Sequence, residues 1–369
     1  MDLETSDSNR RDPLGPRWEK GGLSRFAGVV IACVLAVGAL PASAHASAHH
    51  GVVRPVTSET KVPLLKWRWL RPDVRPAPLR RVGAAMAYDP VTHTMVLWGG
   101  GEPTLPFRKL GANVGGDTWG YDGSTWRRLP AGPPRIASSL VFDPDASSFV
   151  AFGGSNESAD ALGDTWTFDG TTWTRVATSG PPPRHNASMA YDPTLHEIIL
   201  FGGYTAQSTP LGDTWVWKPT TGWTELSPSP APPARFGGSM VFDPQVGKLL
   251  LFAGETANGI QNDAWTFDGS SWQQLALPAS PPSRIFQSMT YDSSQNAVVM
   301  WGGLGAHADF GDTWLFADSR WTMLSLPPGG PKPGAAASMA YDPATHESVL
   351  LGGGTVSGSV TAQEWAFGN

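Results

Sequence analysis

The chain has 369 residues, a formal net charge of −6, 17 tryptophans, 43 glycines, 34 prolines and one cysteine. The acidic balance and the lack of a basic stripe exclude nucleic acid as a partner class, and a lone cysteine excludes a disulfide framework. Glycine and proline fall between apolar runs rather than in low-complexity tracts, which is the turn punctuation of an all-β protein.

Residues 1–44 have the parts of an export signal or a membrane anchor. Arg17, Lys20 and Arg25 precede the apolar run Phe26–Leu40, and Pro41-Ala42-Ser43-Ala44-His45-Ala46-Ser47-Ala48 follows with A-x-A spacing. The run is shorter than the roughly 20 residues needed to span a bilayer. A cleaved signal is therefore expected, ending after Ala44, Ala46 or Ala48, with an uncleaved single-pass anchor as the alternative. Arg10-Arg11 lacks the apolar residues that follow a twin-arginine signal. Val30-Ile31-Ala32-Cys33 has the look of a lipobox, but Cys33 reads as a small apolar residue inside the signal. Five basic and five acidic residues lie in the first 44, so the mature charge stays at −6. Residues 45–63, rich in Ala, His, Ser and Thr, read as a flexible linker. The protein is expected outside the cytoplasmic membrane: secreted, periplasmic or at the cell surface.

From Arg81 onward one block recurs six times with a period of roughly 50 residues. In its clearest copy Arg184 leads into Ser188–Asp192, a strand closed by the turn-forming Asp192-Pro193. Glu197–Phe201 is the β-branched, apolar pattern of a buried strand. Gly202-Gly203 stops it, a variable loop follows, and Asp213–Trp217 alternates as a half-buried strand does. Trp223–Leu226 is the fourth strand, and a proline-rich segment leads to the next Arg. The glycine step returns at Gly99-Gly100, Gly153-Gly154, Ala253-Gly254, Gly302-Gly303 and Gly352-Gly353.

These phased glycine doublets, the Asp-Thr-Trp triplets and the last-strand Trp126, Trp173, Trp223, Trp272 and Trp321 resemble the kelch superfamily across 64–369. The resemblance implies an all-β, six-bladed kelch-type β-propeller with four-stranded antiparallel blades. The sixth copy stops before its last strand, and Lys66-Trp67-Arg68-Trp69-Leu70 has the pattern of the missing piece. The N-terminal strand is expected to complete the last blade and close the ring, which removes two open edges. In the sixth copy Gly334 stands where the other blades have Arg, and Glu364 is aligned with their Asp.

Strand polarity puts the proline-rich lead-in segments and the post-glycine loops on one face and the Asp-Pro turns on the other. The loop face carries the variation, and binding concentrates on variable loops over a rigid scaffold. It is also the face commonly used in kelch proteins. The candidate binding residues are Arg81, Arg135, Arg184, Arg235 and Arg284, expected to ring the channel mouth, and the off-repeat residues His185, Tyr204, Glu255, His307 and Asp309. Glu157, Asp160, Arg108 and Lys109 are off-repeat on the same face. The arginines have two readings. They form a cationic throat for a carboxylate or acidic sugar, or they are scaffold, paired with Asp117, Asp164, Asp213, Asp263 and Asp312. His93, His196 and His346 close Asp-Pro-x-x-His turns and read as turn chemistry rather than a metal set.

Galactose-oxidase-like copper chemistry needs a Cys-linked Tyr, and the chain beyond residue 44 has no Cys. Asp122–Trp126 and Asp169–Trp173 are one residue short of a sialidase Asp box. No catalytic, metal or cofactor site is expected. The reading is a monomeric exported scaffold that binds a protein or a glycan. The alternatives are a sugar-epimerase-like carbohydrate-active enzyme using the arginine-lined mouth, and a purely structural surface protein.

Overall fold

The computed structural model describes residues 65–70, 76–101, 114–355, 357–361 and 363–369. Residues 1–63, where an export segment and a linker are expected, and Arg108 and Lys109 lie outside the described residues. Every element described is a strand, and among these residues no helix is long and apolar enough to cross a membrane.

The chain opens with β1 (Lys66–Trp69). Blade 1 follows as β2 (Ala85–Asp89), β3 (Thr94–Trp98), β4 (Thr118–Tyr121) and β5 (Trp126–Leu129). Blade 2 is β6 (Ser139–Asp143), β7 (Ser148–Phe152), β8 (Thr165–Phe168) and β9 (Trp173–Ala177). Blade 3 is β10 (Ser188–Asp192), β11 (Glu197–Phe201), β12 (Thr214–Lys218) and β13 (Gly222–Leu226). Blade 4 adds a short leader, β14 (Arg235–Phe236), to β15 (Ser239–Asp243), β16 (Lys248–Thr256), β17 (Gly259–Phe267) and β18 (Trp272–Gln274). Blade 5 is β19 (Ser288–Asp292), β20 (Ala297–Trp301), β21 (Thr313–Ala317) and β22 (Arg320–Met323). Blade 6 is β23 (Ala335–Asp342), β24 (Glu347–Gly354) and β25 (Glu364–Gly368), with β1 as its outer strand. The innermost strands touch their neighbours all the way round, β23 against β2 included, so the six-bladed ring is closed.

Burial follows position in the blade. The second strands are apolar and buried on both faces, as in Thr94–Trp98 and Ala297–Trp301, because a blade packs on either side. Outer strands such as Trp173–Ala177 are largely exposed. The aromatic residues fill the space between blades, with Trp98, Trp272 and Trp301 almost wholly buried.

The closure expected from the sequence is present. β1 pairs antiparallel with β25, Trp67 opposite Phe367 and Trp69 opposite Trp365. Trp69 stacks on Trp365 at 6.0 Å, and the Trp67 Nε1–H donates to Thr313 Oγ1 at 2.9 Å. The register also corrects one alignment. Leu351 pairs with Glu364 as Phe201 pairs with Thr214, and Gly352 N donates to Gln363 O as Gly202 N donates to Asp213 O. The residue in the Asp position of blade 6 is therefore Gln363, and Glu364 takes the place of the Thr.

The double-glycine step has a steric cause. Gly153 has φ +67°, and a Cβ there would lie 2.6 Å from the Arg184 carbonyl oxygen of the next blade. Blade 4 differs: where the other blades have the variable loop, its Glu255–Asn262 segment belongs to the long hairpin β16–β17, turning at Ala257-Asn258.

Candidate functional site at the channel mouth

The leading arginines fold back into their own blades. Arg184 donates through Nε to Pro182 O at 2.9 Å and through Nη1 to Gly202 O at 2.9 Å. Its Nη1 and Nη2 also grip both Asp213 oxygens at 2.6 Å each. Four of the five guanidinium N–H groups are thereby used, and Arg184 is 0% exposed. Arg81, Arg235 and Arg284 repeat the arrangement with Asp117, Asp263 and Asp312. Each of these carboxylates also accepts the N–H of the Trp two residues on, as Asp213 does from Trp215 at 2.7 Å. Burial alone would raise the Asp213 carboxyl, but the arginine and the indole hold it below its ordinary range.

Arg135 is the variant. Its Nη2 reaches Asp164 at 2.7 Å, but its Nη1 turns to Pro134 O, and Ser138 Oγ donates to Gly153 O instead. Arg135 Nε and Asp164 Oδ1 are left without partners. In blade 6, where Gly334 replaces Arg, Thr361 Oγ1 caps the Gly352 carbonyl and the Gln363 amide pairs with the Lys332 backbone. Trp365 Nε1 has no acceptor there.

Two residues beyond each arginine position the chain is in the left-handed conformation: Gly83, Ala137, Asn186, Gly237, Phe286 and Ala336 all have positive φ. Their backbones form a closed collar. Each donates its N–H to the carbonyl of its counterpart in the preceding blade, from Ala137 N to Gly83 O round to Gly83 N to Ala336 O, at 2.8–3.1 Å. One step down, Ser139, Ser188, Ser239, Ser288 and Ser338 donate their hydroxyls to the next blade's backbone, and Ala85 breaks that second circle in blade 1.

Above the collar each blade adds two facing residues, one after the arginine position and one after the glycine step, joined backbone to backbone. Blades 6 and 1 put Ala335, Gly354, Val82 and Gly101 there. Blade 3 puts His185 with Tyr204, and blade 4 puts Phe236 with Glu255. Three of the residues singled out from sequence thus meet on one side of the mouth. The His185 and Tyr204 rings are 3.9 Å apart, and Tyr204 and Phe236 are 4.4 Å apart. Phe286 continues the wall 6.2 Å from Phe236. The Asn186 amide lies 3.1 Å from His185 Nδ1 and beside the Tyr204 hydroxyl.

Burial sets the charges here. It holds His185 down to about 4, so the imidazole is neutral. Burial, with the Glu255 charge added, raises Tyr204 to about 12. Burial also pushes the Glu255 carboxyl up. The opposite side of the mouth is apolar, with Val82, Val114 and Ile136 packed with Ala137, Ala336 and Val360. His307 is exposed on the blade 5 loop, and Asp309 pairs through its backbone with Leu304 at the base of that loop. Asn186, Phe236 and Phe286 escaped the sequence reading, although their places are fixed by counting from the arginine.

The other face is uniform. In each of the six turns the Asp that ends the inner strand accepts backbone N–H groups of the turn, as Asp192 does from Thr194 at 2.8 Å. Tyr88, Tyr191 and Tyr341 hold their hydroxyls within 3.0–3.4 Å of His93, His196 and His346, and Tyr291 donates to Asn296. Where the inner strand has Phe142 or Phe242, the turn has Ser147 or Gly247 instead. A hollow of about 450 Å³ on this side is lined by Ser293, Ser294, Thr345, His346, Glu347 and Asn369, and its carboxylate is bound to Arg68 at 2.7 Å.

The model of the KLHDC2/KLHL20/DRC7 Kelch-repeats domain matches residues 196–368, from the third blade to the last strand. No curated protein matches the chain.

Proposed function

Since the chain is a kelch-repeat β-propeller, a fold that suggests a protein-binding scaffold, we propose that it is an exported scaffold that engages a protein partner through the loop face around the channel mouth. One contrast carries this reading. The Asp-Pro face repeats the same side-chain-to-backbone turn in all six blades, whereas at the mouth positions only the backbone pairing repeats and the side chains differ from blade to blade. Variation on positions that a rigid ring does not need is what recognition requires. The enzyme reading has less support, because all five arginines donate to carbonyl and carboxylate groups of their own blade and are buried there. Export rests on the order of basic flank, apolar run and A-x-A site in residues 1–48.

The test compares three forms of the full chain as bait in cross-linking from its native cells: unaltered, loop-face variant (Glu157→Ala with His307→Ala), and Asp-Pro-face variant (Val91→Ser with Val246→Ser). The same partner is expected with the first and third and is weakened with the second. Loss with the third alone would overturn the reading. N-terminal sequencing of the mature protein is expected to begin between residues 45 and 49.

A further inference from the structure

The mouth is lopsided, and its two halves are complementary to one kind of group. Blades 3 and 4 supply a wall of His185, Tyr204, Phe236 and Glu255, and Phe286 of blade 5 extends it. Blades 6 and 1 supply Ala335, Gly354, Val82 and Gly101 there, and Val82, Val114 and Val360 pack with Ala336 to make that side apolar. Among the described residues that flank the collar, Glu255 is the one acidic side chain. The nearest groups do not balance it: His185 is neutral, Asn186 and Tyr204 are uncharged, and the buried arginines are paired with their own aspartates.

We infer that the mouth receives a basic side chain of the protein partner, its ammonium or guanidinium group between the Glu255 carboxylate and the Tyr204 and Phe236 rings, its aliphatic stem against the apolar side formed by blades 6 and 1. This inference rests on the loop-face reading above and specifies the chemistry of that face. A half-buried carboxylate without a counter-charge is costly. An arriving cation supplies that charge and gains attraction to the aromatic rings beside it. A neutral sugar would cover Glu255 and leave its charge unbalanced, and an anion would be repelled. The upward push on the Glu255 carboxyl fits a group lacking its cation.

The test uses the full chain on an array of short peptides that differ only in a central Lys, Arg, Ala, Gln or Glu. Lys- and Arg-centred peptides are expected to be retained about tenfold better than the Ala-centred ones, corresponding to about 1.4 kcal/mol. Glu255→Gln, close in shape and uncharged, is expected to melt no lower than the parent and to bring the basic peptides to parity with Ala. Ala336→Leu, which adds bulk on the apolar side, is expected to weaken every peptide. Equal retention of basic and Ala-centred peptides by the unaltered chain, or an unchanged preference in Glu255→Gln, overturns the inference. If Glu255→Gln still captures the native partner while the Glu157→Ala/His307→Ala form does not, the loop-face reading stands and this inference alone falls.

Discussion

Trp321 packs in the same buried cluster as Ala264, and its indole N–H has no acceptor. At the equivalent junctions Trp173, Trp223, Trp272 and Trp67 donate to Thr118, Thr165, Thr214 and Thr313 of the preceding blade, and Trp126 donates to Glu364. Blade 4 has Ala where those four have Thr. A buried N–H without a partner costs about 1–3 kcal/mol. Ala264→Thr is therefore expected to stabilise the protein by about 1 kcal/mol, read as a higher denaturant midpoint at unchanged slope. No gain, together with a gain from a second Thr placed elsewhere on β17, would remove the explanation.

The Arg184–Asp213 pair is the second case. Taking away one partner of a buried ion pair costs about 3–5 kcal/mol, because the other charge is stranded. Arg184→Met is expected to cost that much. Blade 6 supplies its own control, since Arg and Asp are both absent there, replaced by Gly334 and Gln363. Adding Asp213→Gln to Arg184→Met is expected to recover part of the loss, so that a double-mutant cycle gives a favourable coupling of about 1–3 kcal/mol. Additive losses would mean that the two residues act separately.

The ring was legible before the structure because each blade needs the same few residues for the same reasons. The glycine step clears the next blade's carbonyl, and a tryptophan fills each junction, so Trp67 at one end of the chain could be recognised as the partner missing at the other. The slip at Glu364 came from matching acid to acid; the fixed distance to Trp365 points to Gln363. His185, Tyr204 and Glu255 stood out because the repeat does not demand them. Their convergence was hidden, because it depends on which residues of neighbouring blades share a level above the collar. Phe286 was hidden for another reason: a bulky residue at φ +58° contradicts its own backbone preference and persists only because the collar holds it. The blade 4 hairpin had a local signal in Asn258-Gly259 that the six-fold pattern obscured.

Ala253 is the one residue at the first position of the glycine step that is not Gly, and it has φ +61°. A left-handed Ala costs about 1–2 kcal/mol relative to Gly. At the other blades a Cβ in this place would press on the next blade's carbonyl, as Gly302 would on Gly334 O at 2.5 Å. Ala253→Gly is expected to raise stability by about 1 kcal/mol, checked by thermal unfolding. A fall would show that the alanine methyl contributes packing worth more than the strain it causes.

Glu364 gives the ring closure a pH dependence. Its side chain is buried at the junction of blades 6 and 1 and accepts the Trp126 N–H, and its carbonyl accepts Leu70 N across the β1–β25 seam. Burial raises its carboxyl to about 7 against an ordinary 4.5. The folded form therefore holds a proton that the unfolded chain releases between those values, so stability falls as pH rises from ~4.5 to ~7 and then levels off. At about 1.4 kcal/mol per pH unit the decline is about 3 kcal/mol. His185, held down to about 4 by burial, acts in the opposite direction: its contribution is full above ~6.5 and is lost as pH falls toward 4. The unaltered protein alone would show the two effects mixed. Comparison with Glu364→Gln, which keeps an acceptor for Trp126 and carries no charge, separates them. The variant is expected to match or slightly trail the parent at pH 4.5 and to exceed it by about 3 kcal/mol at pH 8. Hydrogen exchange at Leu70, corrected for its intrinsic pH dependence, is expected to quicken with pH in the parent only. Parallel stability curves for the two proteins from pH 4.5 to 8 would show that Glu364 does not titrate in this range.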